Sequence, residues 1–148
     1  MPSTHTNLHY HIVWATKERR NLIESAWKPR LHAWLGGCVR KLGGVALEIN
    51  GMGEHVHVLV GLKPTHCLSD FMRVLKSESS EWVHAELHAH LFQWQEGYFA
   101  VAVSPSQLEK VRHYIRNQEE HHRQKTFAEE YVELLKLAGI EYDERYLW

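Results

Sequence analysis

The run Glu54-His55-Val56-His57-Val58-Leu59-Val60 limits most strongly how this chain can fold. Its β-branched residues alternate with others, Gly51 and Gly53 punctuate the chain before it, and Gly61 and Pro64 follow it, so it reads as a β-strand. Side chains two apart in a strand share a face. His55 and His57 therefore stand side by side on one surface, and Val56, Val58 and Val60 face the other way. Any fold built around this segment needs an apolar layer under the valines and a place for two imidazoles opposite, a plausible platform for a divalent metal ion.

The spacing alone is a weak signal. The chain has 13 histidines and three His-x-His triplets. His88-Ala89-His90 follows a helical segment, where residues two apart project roughly 200° from one another and cannot share an ion. His9-Tyr10-His11 falls in a second expected strand and remains a rival pair.

The 148 residues, 44% of them hydrophobic, with six tryptophans, are enough for a single domain, 1–148, with a substantial core. No apolar run approaches the roughly 20 residues of a membrane span, and the N-terminal residues lack a signal-peptide core, so a cytoplasmic location is expected. Cys38 and Cys67 alone make neither a disulfide framework nor a cysteine zinc site. The net charge of −1 argues against a uniformly cationic nucleic-acid binder. Its distribution is uneven: residues 1–76 hold ten Lys/Arg against five Asp/Glu, and residues 77–148 hold seven against thirteen. Polyanion binding would thus be a property of the first half and of whatever docks beside it.

In chain order, Asn7 to Thr16 reads as a first strand with Leu8, Tyr10, Ile12 and Trp14 on one face and His9, His11 and Val13 on the other. Lys17, Glu18, Arg19 and Arg20 form a basic turn, open to two readings, a solvated loop or a phosphate contact. An amphipathic helix is expected over about Ala26–Leu42, with Pro29 in its first turn and Gly43 ending it. Val45 to Asn50 is a second strand, joined to the histidine strand as a hairpin through Gly51-Met52-Gly53. Leu68 to about Ala85 is a second helix whose polar side carries Arg73 and Lys76. Phe92–Trp94 and Tyr98–Val103 are expected to form a short hairpin around Glu96-Gly97, the latter segment being the fourth strand.

This order predicts an α+β, ferredoxin-like or RRM-like βαββαβ fold: a four-stranded antiparallel sheet with helices on one face and the other face open. A third helix is expected from the capping-box pattern at Ser104-Pro105-Ser106-Gln107 to about His122, bringing Tyr114 and Gln118 onto one face. Arg112 and Arg116 add charge nearby. Thr126-Phe127-Ala128-Glu129 is a second capping box, opening a helix in a C-terminal extension and tail, 126–148, whose role is open to three readings, packing on the body, covering the site or contacting a partner subunit, with packing the simplest.

Two motifs in this order, His55-Val56-His57 after a Gly-Met-Gly-Glu turn and Tyr114-Ile115-Arg116-Asn117-Gln118 after the fourth strand, resemble the single-tyrosine HUH transposases of the IS-two-hundred-like insertion-sequence kind, including the REP-associated tyrosine transposases. Leu68-Ser69-Asp70-Phe71 through Lys76-Ser77 and Phe92-Gln93-Trp94-Gln95-Glu96-Gly97-Tyr98 are also similar to family segments. The resemblance runs from about Thr6 to at least Arg123.

The resemblance implies a transposase that nicks and rejoins single-stranded, hairpin-containing DNA, in the cytoplasm at the nucleoid of a prokaryote. It makes Tyr114 the nucleophile that forms a 5′-phosphotyrosine. It makes His55, His57 and Gln118 the ligands of one Mg²⁺ or Mn²⁺ ion, with imidazole ligands favouring Mn²⁺ or Zn²⁺ on general grounds. It also implies a homodimer in which Tyr114 and Gln118 act in trans. Lys17, Arg19, Arg20, Arg73, Lys76, Arg112 and Arg116 are the candidate DNA contacts. Two competing functions are a domesticated DNA-binding protein that does not cut and a metal-dependent phosphoesterase that uses water, with Tyr114 structural.

Overall fold

The computed structural model describes residues 3–147; Met1, Pro2 and Trp148 of the expected domain lie outside the described residues. Four strands, β1 (Leu8–Ala15), β2 (Val45–Gly51), β3 (His55–Leu62) and β4 (Phe99–Val103), form one antiparallel sheet in the order β2-β3-β1-β4. Helices α1 (Lys28–Lys41) and α2 (Leu68–Leu87) connect them in the expected βαββαβ sequence. Pro29 sits in the first turn of α1, and Gly43 follows its last turn at a φ of 88°, a backbone state that glycine adopts without a Cβ penalty.

The alternation of β3 sets the layers. Val56, Val58 and Val60 are fully buried against Leu31 and Leu35 of α1 and Phe71, Met72 and Leu75 of α2, together with Ile12 and Trp14 of β1. Each buried valine contributes about 1.5–3 kcal/mol. A one-residue slip of β3 would put histidines into this layer, which fixes the register. Val13 of β1 lies opposite His57, and Ala15 lies opposite His55.

The second face differs from the sequence expectation, because it is covered rather than open. After a 3-10 turn at Pro105–Gln107, helices α3 (Leu108–Arg116), α4 (Gln118–His121) and α5 (Phe127–Leu137) lie on that side of the sheet. Phe127 and Leu135 of α5 pack with Val13, Ala15 and Phe99, and Tyr142 and Leu147 of the tail join this cluster. Tyr114 and Ile115 of α3 pack with Leu59 and Val103.

Three local expectations are corrected. Phe92–Trp94 does not pair with β4: Trp94 bridges Thr16 instead, and β4 pairs with β1 from Val13 opposite Phe99 to His9 opposite Val103. Phe92 and Trp94 are drawn into the aromatic core beside Trp27 and Trp14, and that burial outweighs a local turn. The capping box at Ser104 does not form; its hydroxyl lies 3.2 Å from that of Ser106, and the chain enters α3 through the 3-10 turn. The single helix expected to reach His122 is broken at Asn117, whose side-chain amide donates to the His113 carbonyl at 2.9 Å and so competes with regular helix continuation. The box at Thr126 is complete, with Thr126 and Glu129 satisfying each other's backbone donors.

The β2–β3 turn leaves no space at Gly51. A Cβ there would sit 2.2 Å from the His55 carbonyl oxygen and 2.8 Å from the Val56 Cα, both backbone atoms that cannot move aside independently. Gly51→Ala is therefore expected to lower stability by about 1–3 kcal/mol in chemical denaturation, because the hairpin must open to admit the methyl group. An unchanged denaturation midpoint would contradict this reading of the turn.

Candidate active site

His55 and His57 are fully buried, and each is tied down on two sides. The Nδ1 of His55 lies 2.7 Å from Glu54 Oε1, and its Nε2 lies 3.1 Å from Gln118 Oε1 and 3.4 Å from Glu130 Oε1. Phe127 stacks on its ring at 4.0 Å between centroids. The Nδ1 of His57 lies 2.8 Å from His11 Nε2, and its Nε2 lies 3.2 Å from Glu130 Oε1. His11, one member of the rival pair, is thus a buried partner of His57. His9 hydrogen-bonds Asn7 at the sheet end and does not join the site.

Asn50 of β2, opposite His57 in the register, donates to the carbonyls of Ile115 and Arg116 at 2.9 and 3.1 Å. These are among the terminal carbonyls that a helix cannot satisfy itself, so Asn50 both caps α3 and fastens it over the sheet. Arg112 and Arg116 lie 3.5 and 2.8 Å from Glu48 on the same strand and clamp the same contact. Tyr114 is thereby held with its ring 5.7 Å from that of His57. Its hydroxyl donates to Glu130 Oε2, which also accepts from Gln118 Nε2 at 3.0 Å. Tyr114 and Gln118 still converge across the break at Asn117, because both meet the same carboxylate.

Glu130 is the residue that sequence reading missed, along with His122. Glu130 is 1% exposed, and His122 Nε2 lies 3.1 Å from its Oε1 and 3.0 Å from Gln118 Oε1. The available signal was its position: Glu130 falls three residues after Phe127 and four before Leu134, a charge within the apolar side of an amphipathic helix.

Burial alone would raise the Glu130 carboxyl, but hydrogen bonds from His122, His55 and His57 outweigh it and hold the group below the usual carboxylate range. Burial likewise opposes protonation of His55, yet its bonds to Glu130 and Glu54 raise it above its ordinary value. Burial brings His57 down to about 4 and, aided by the neighbouring His57, His11 down to about 3. Burial, reinforced by the Glu130 charge, pushes the Tyr114 phenol above its usual range.

One ligand atom each from His55, His122 and Glu130 lies within 4.8 Å of the others, a grouping that could hold a metal ion. Gln118 Oε1 and His57 Nε2 border the same point through Glu130 and His55. An ion with ligand atoms at about 2.1 Å separates neighbouring ligand atoms by about 3.0–3.4 Å, the range these contacts occupy, so the residues present fit the group implied for this fold. Among the expected DNA contacts, Lys76 donates to the Gln95 and Gly97 carbonyls at 2.6 and 2.8 Å and braces the loop before β4. Arg73 lies 3.9 Å from Asp70, and Arg20 pairs with Glu18 at 2.8 Å on the surface. Arg19 lines a depression with Glu54, His122 and Lys125 beside the site, and Lys17 begins the exposed turn leading to it.

The ferredoxin-like sheet thus carries a His-x-His pair beneath a tyrosine and a glutamine. Comparison with known proteins identifies its family: the family model described as "Transposase IS200 like" matches residues 4–118, and the chain belongs to that family. It is 30% identical over 125 residues to a transposase for insertion sequence element IS200 from Salmonella typhimurium, covering 78% of this chain and 79% of that protein. It is 25% identical over 117 residues to the ISDra2 transposase TnpA of Deinococcus radiodurans, covering 75% and 84%. Among solved structures, a putative transposase from Deinococcus radiodurans superposes with a TM-score of 0.64 at 26% identity, covering 80% of this chain and 95% of that one. A REP-associated tyrosine transposase bound to a REP hairpin shares the fold, with a TM-score of 0.61 at 14% identity over 82% and 74%. No helix among the described residues is long and apolar enough to cross a membrane.

The buried histidines make stability pH-dependent in a fixed direction. His57 at about 4 and His11 at about 3 bind protons more readily in the unfolded chain, where their ordinary value is 6.5. Their stabilisation is therefore lost as pH falls from about 6.5 to about 4, and the depressed Glu130 and Glu54 act in the same sense. His55, raised, acts oppositely and only partly offsets them. Unfolding free energy of chelator-treated protein is expected to drop by about 3 kcal/mol or more between pH 7 and pH 4.5. Constant or rising stability over that interval would refute the neutral, buried state of these rings.

Proposed function

We propose that this protein nicks and rejoins single-stranded DNA carrying hairpins, with Tyr114 as the nucleophile. The observation that supports this reading best is the convergence of the Tyr114 hydroxyl, both histidines and Gln118 on one buried carboxylate. Tyr114 is half-buried and borders an open depression with Lys110, His113, Asn117, His121 and Gln124, so a strand can approach it from that side.

In this reading the phenol oxygen bonds to phosphorus, and the bond from phosphorus to the 3′-oxygen breaks. The products are a 5′-phosphotyrosine and a 3′-hydroxyl. The phenol proton is lost to solvent as this bond forms, and the departing 3′-oxygen takes one up from solvent. Because the broken bond is stored as an ester, a second 3′-hydroxyl can reverse the step without a nucleotide energy source. A divalent ion, Mg²⁺ or Mn²⁺, held by His55, His57 and Gln118 would offset the charge that grows on the phosphate oxygens. Tyr114 needs such help, since an unperturbed phenol has a pKa near 10 and burial raises this one further. Lys17, Arg19 and Arg20 would follow the backbone near the mouth of the site, with Arg73, Arg112 and Arg116 as outlying contacts. Hairpin binding by the REP-associated relative supports the choice of DNA form.

Labelled hairpin DNA incubated with the protein and Mn²⁺ or Mg²⁺ should give a covalent adduct on a denaturing gel. Tyr114→Phe should abolish it, and His57→Ala should reduce it at least about 100-fold while some binding remains. Hydrolysed strands without adduct would instead identify a phosphoesterase, and binding without cleavage a domesticated DNA-binding protein.

The resemblance also implies a homodimer with the tyrosine acting in trans. Within one chain, however, α3 already rests on its own histidines, which supports cis action. Mixing Tyr114→Phe chains with His57→Ala chains should therefore give no adduct. Recovery of adduct in the mixture would establish that tyrosine and histidines come from different subunits.

A further inference from the structure

The three imidazoles at the site share one wiring pattern. Each turns Nδ1 outward to a fixed neighbour: His55 to the Glu54 carboxylate at 2.7 Å, His122 to the Lys125 carbonyl at 3.0 Å, and His57 to His11 Nε2 at 2.8 Å. A carboxylate and a carbonyl only accept, so His55 and His122 carry their hydrogen on Nδ1, and in the neutral ring Nε2 is a bare lone pair. Those lone pairs face Gln118 Oε1 and Glu130 Oε1, both acceptors. The Gln118 amide is held this way round by its own donation to Glu130 Oε2 at 3.0 Å. Buried acceptors that face one another across 3.0–3.4 Å need positive charge between them, which a proton on His55 supplies in the ion-free protein and a bound cation can replace. One divalent cation meets that need, and outward-bonded Nδ1 atoms are the usual support for histidine ligands.

Two of these groups, His122 and Glu130, lie beyond residue 118, where the match to the family domain ends. From this geometry we infer that the C-terminal segment 122–137 is part of the ion site itself, with His122 and Glu130 as ligands beside His55, His57 and Gln118. The resulting donor set holds three imidazole nitrogens, one carboxylate oxygen and one amide oxygen. It suits a first-row transition ion such as Mn²⁺, Co²⁺ or Zn²⁺ better than Mg²⁺, which prefers oxygen ligands and retains water. Glu130 has one oxygen for each task. Oε1 turns to His55, His57 and His122, and Oε2 keeps the Tyr114 hydroxyl with His121 Nε2 3.4 Å away, so the same carboxylate sets the nucleophile's place relative to the ion.

The inference deepens the proposed function but can be read without DNA. The full chain, stripped with chelator, is titrated with Mn²⁺ by electron paramagnetic resonance and with Co²⁺ by visible absorption, in the presence and absence of excess Mg²⁺. Wild type should bind one equivalent of either ion, with excess Mg²⁺ displacing little. Glu130→Gln, which keeps volume and one acceptor, and His122→Ala should each raise the dissociation constant at least about tenfold. Both should also change the Co²⁺ band, while circular dichroism stays unchanged. If either variant fails to fold, Glu130→Asp and His122→Asn replace it, with the same tenfold criterion.

Wild-type protein that binds no ion, affinities within twofold of wild type in both variants, or ready displacement by Mg²⁺ would each overturn the assignment. Tighter binding in Glu130→Gln would overturn it too, marking the carboxylate as a plug that competes with the ion. Ion binding without any DNA adduct would sink the transposition reading and leave this site standing. A metal-dependent adduct with unaltered ion affinity in the variants would do the reverse.

Discussion

Strand β3 is buried on both faces, and only one of those faces is apolar. It hydrogen-bonds to β1 on one side and β2 on the other, so it cannot be displaced to an edge. Its valines meet α1 and α2 by ordinary hydrophobic packing. Its histidines are equally inaccessible, and a buried imidazole without partners costs several kcal/mol. The second layer is therefore constrained chemically as well as sterically: whatever covers that face must bring hydrogen-bond partners to His55 and His57. Gln118 and Glu130 supply them from the C-terminal helices, and His11 supplies another from the neighbouring strand.

The covering layer reconciles apolar contact with a buried charge by dividing the work within α5. Phe127 and Leu135 at its two ends bury against Val13, Ala15 and Phe99, and Glu130 between them is the polar centre. A carboxylate in such a place is tolerated only when most of its lone pairs are engaged, and here six side chains surround it. Asn50 and Glu48 on β2 do for α3 what Phe127 does for α5, anchoring the helix so that its tyrosine falls over the same point. The positions of Tyr114 and the imidazoles are thus set by contacts from several independent elements, the kind of preorganisation that the proposed reaction requires.

How far the sequence discloses this follows from the range of the interactions. The strand phase of His55 and His57, the two layers of β1, the hairpin at Gly51 and the Thr126 cap are local patterns, and each is realised in the fold. Phe92 and Trp94 misled because their partners, Trp14 and Trp27, are distant in sequence, and an aromatic core contact outweighs local turn chemistry. The break at Asn117 comes from a side chain competing for its own helix's carbonyl, which average helical propensity does not register. Glu130 was the least legible. Heptad reading gathers the apolar positions of α5 and passes over the one charged residue among them, although a charge on an apolar face is itself the sign of a buried polar partner. His11, set aside as a rival to the pair, proves to support it because β1 and β3 are neighbours in the sheet.

The distribution of exposure across the site also constrains how it can work. His55, His57, Gln118 and Glu130 are shielded, whereas Tyr114 borders a depression open to solvent. A nucleic-acid strand can therefore meet the tyrosine before it can reach the histidines. Bringing a phosphate to both requires the contacts made by Glu130 to loosen on one side, and it is Oε2, shared by Tyr114 and Gln118, that lies between them. Releasing the tyrosine hydroxyl from that oxygen would free it and lower the electrostatic barrier to its ionisation, because the Glu130 charge, after burial, is among the causes holding the phenol protonated. That hydrogen bond ties the exposure and ionisation of Tyr114 to the C-terminal helix that covers it.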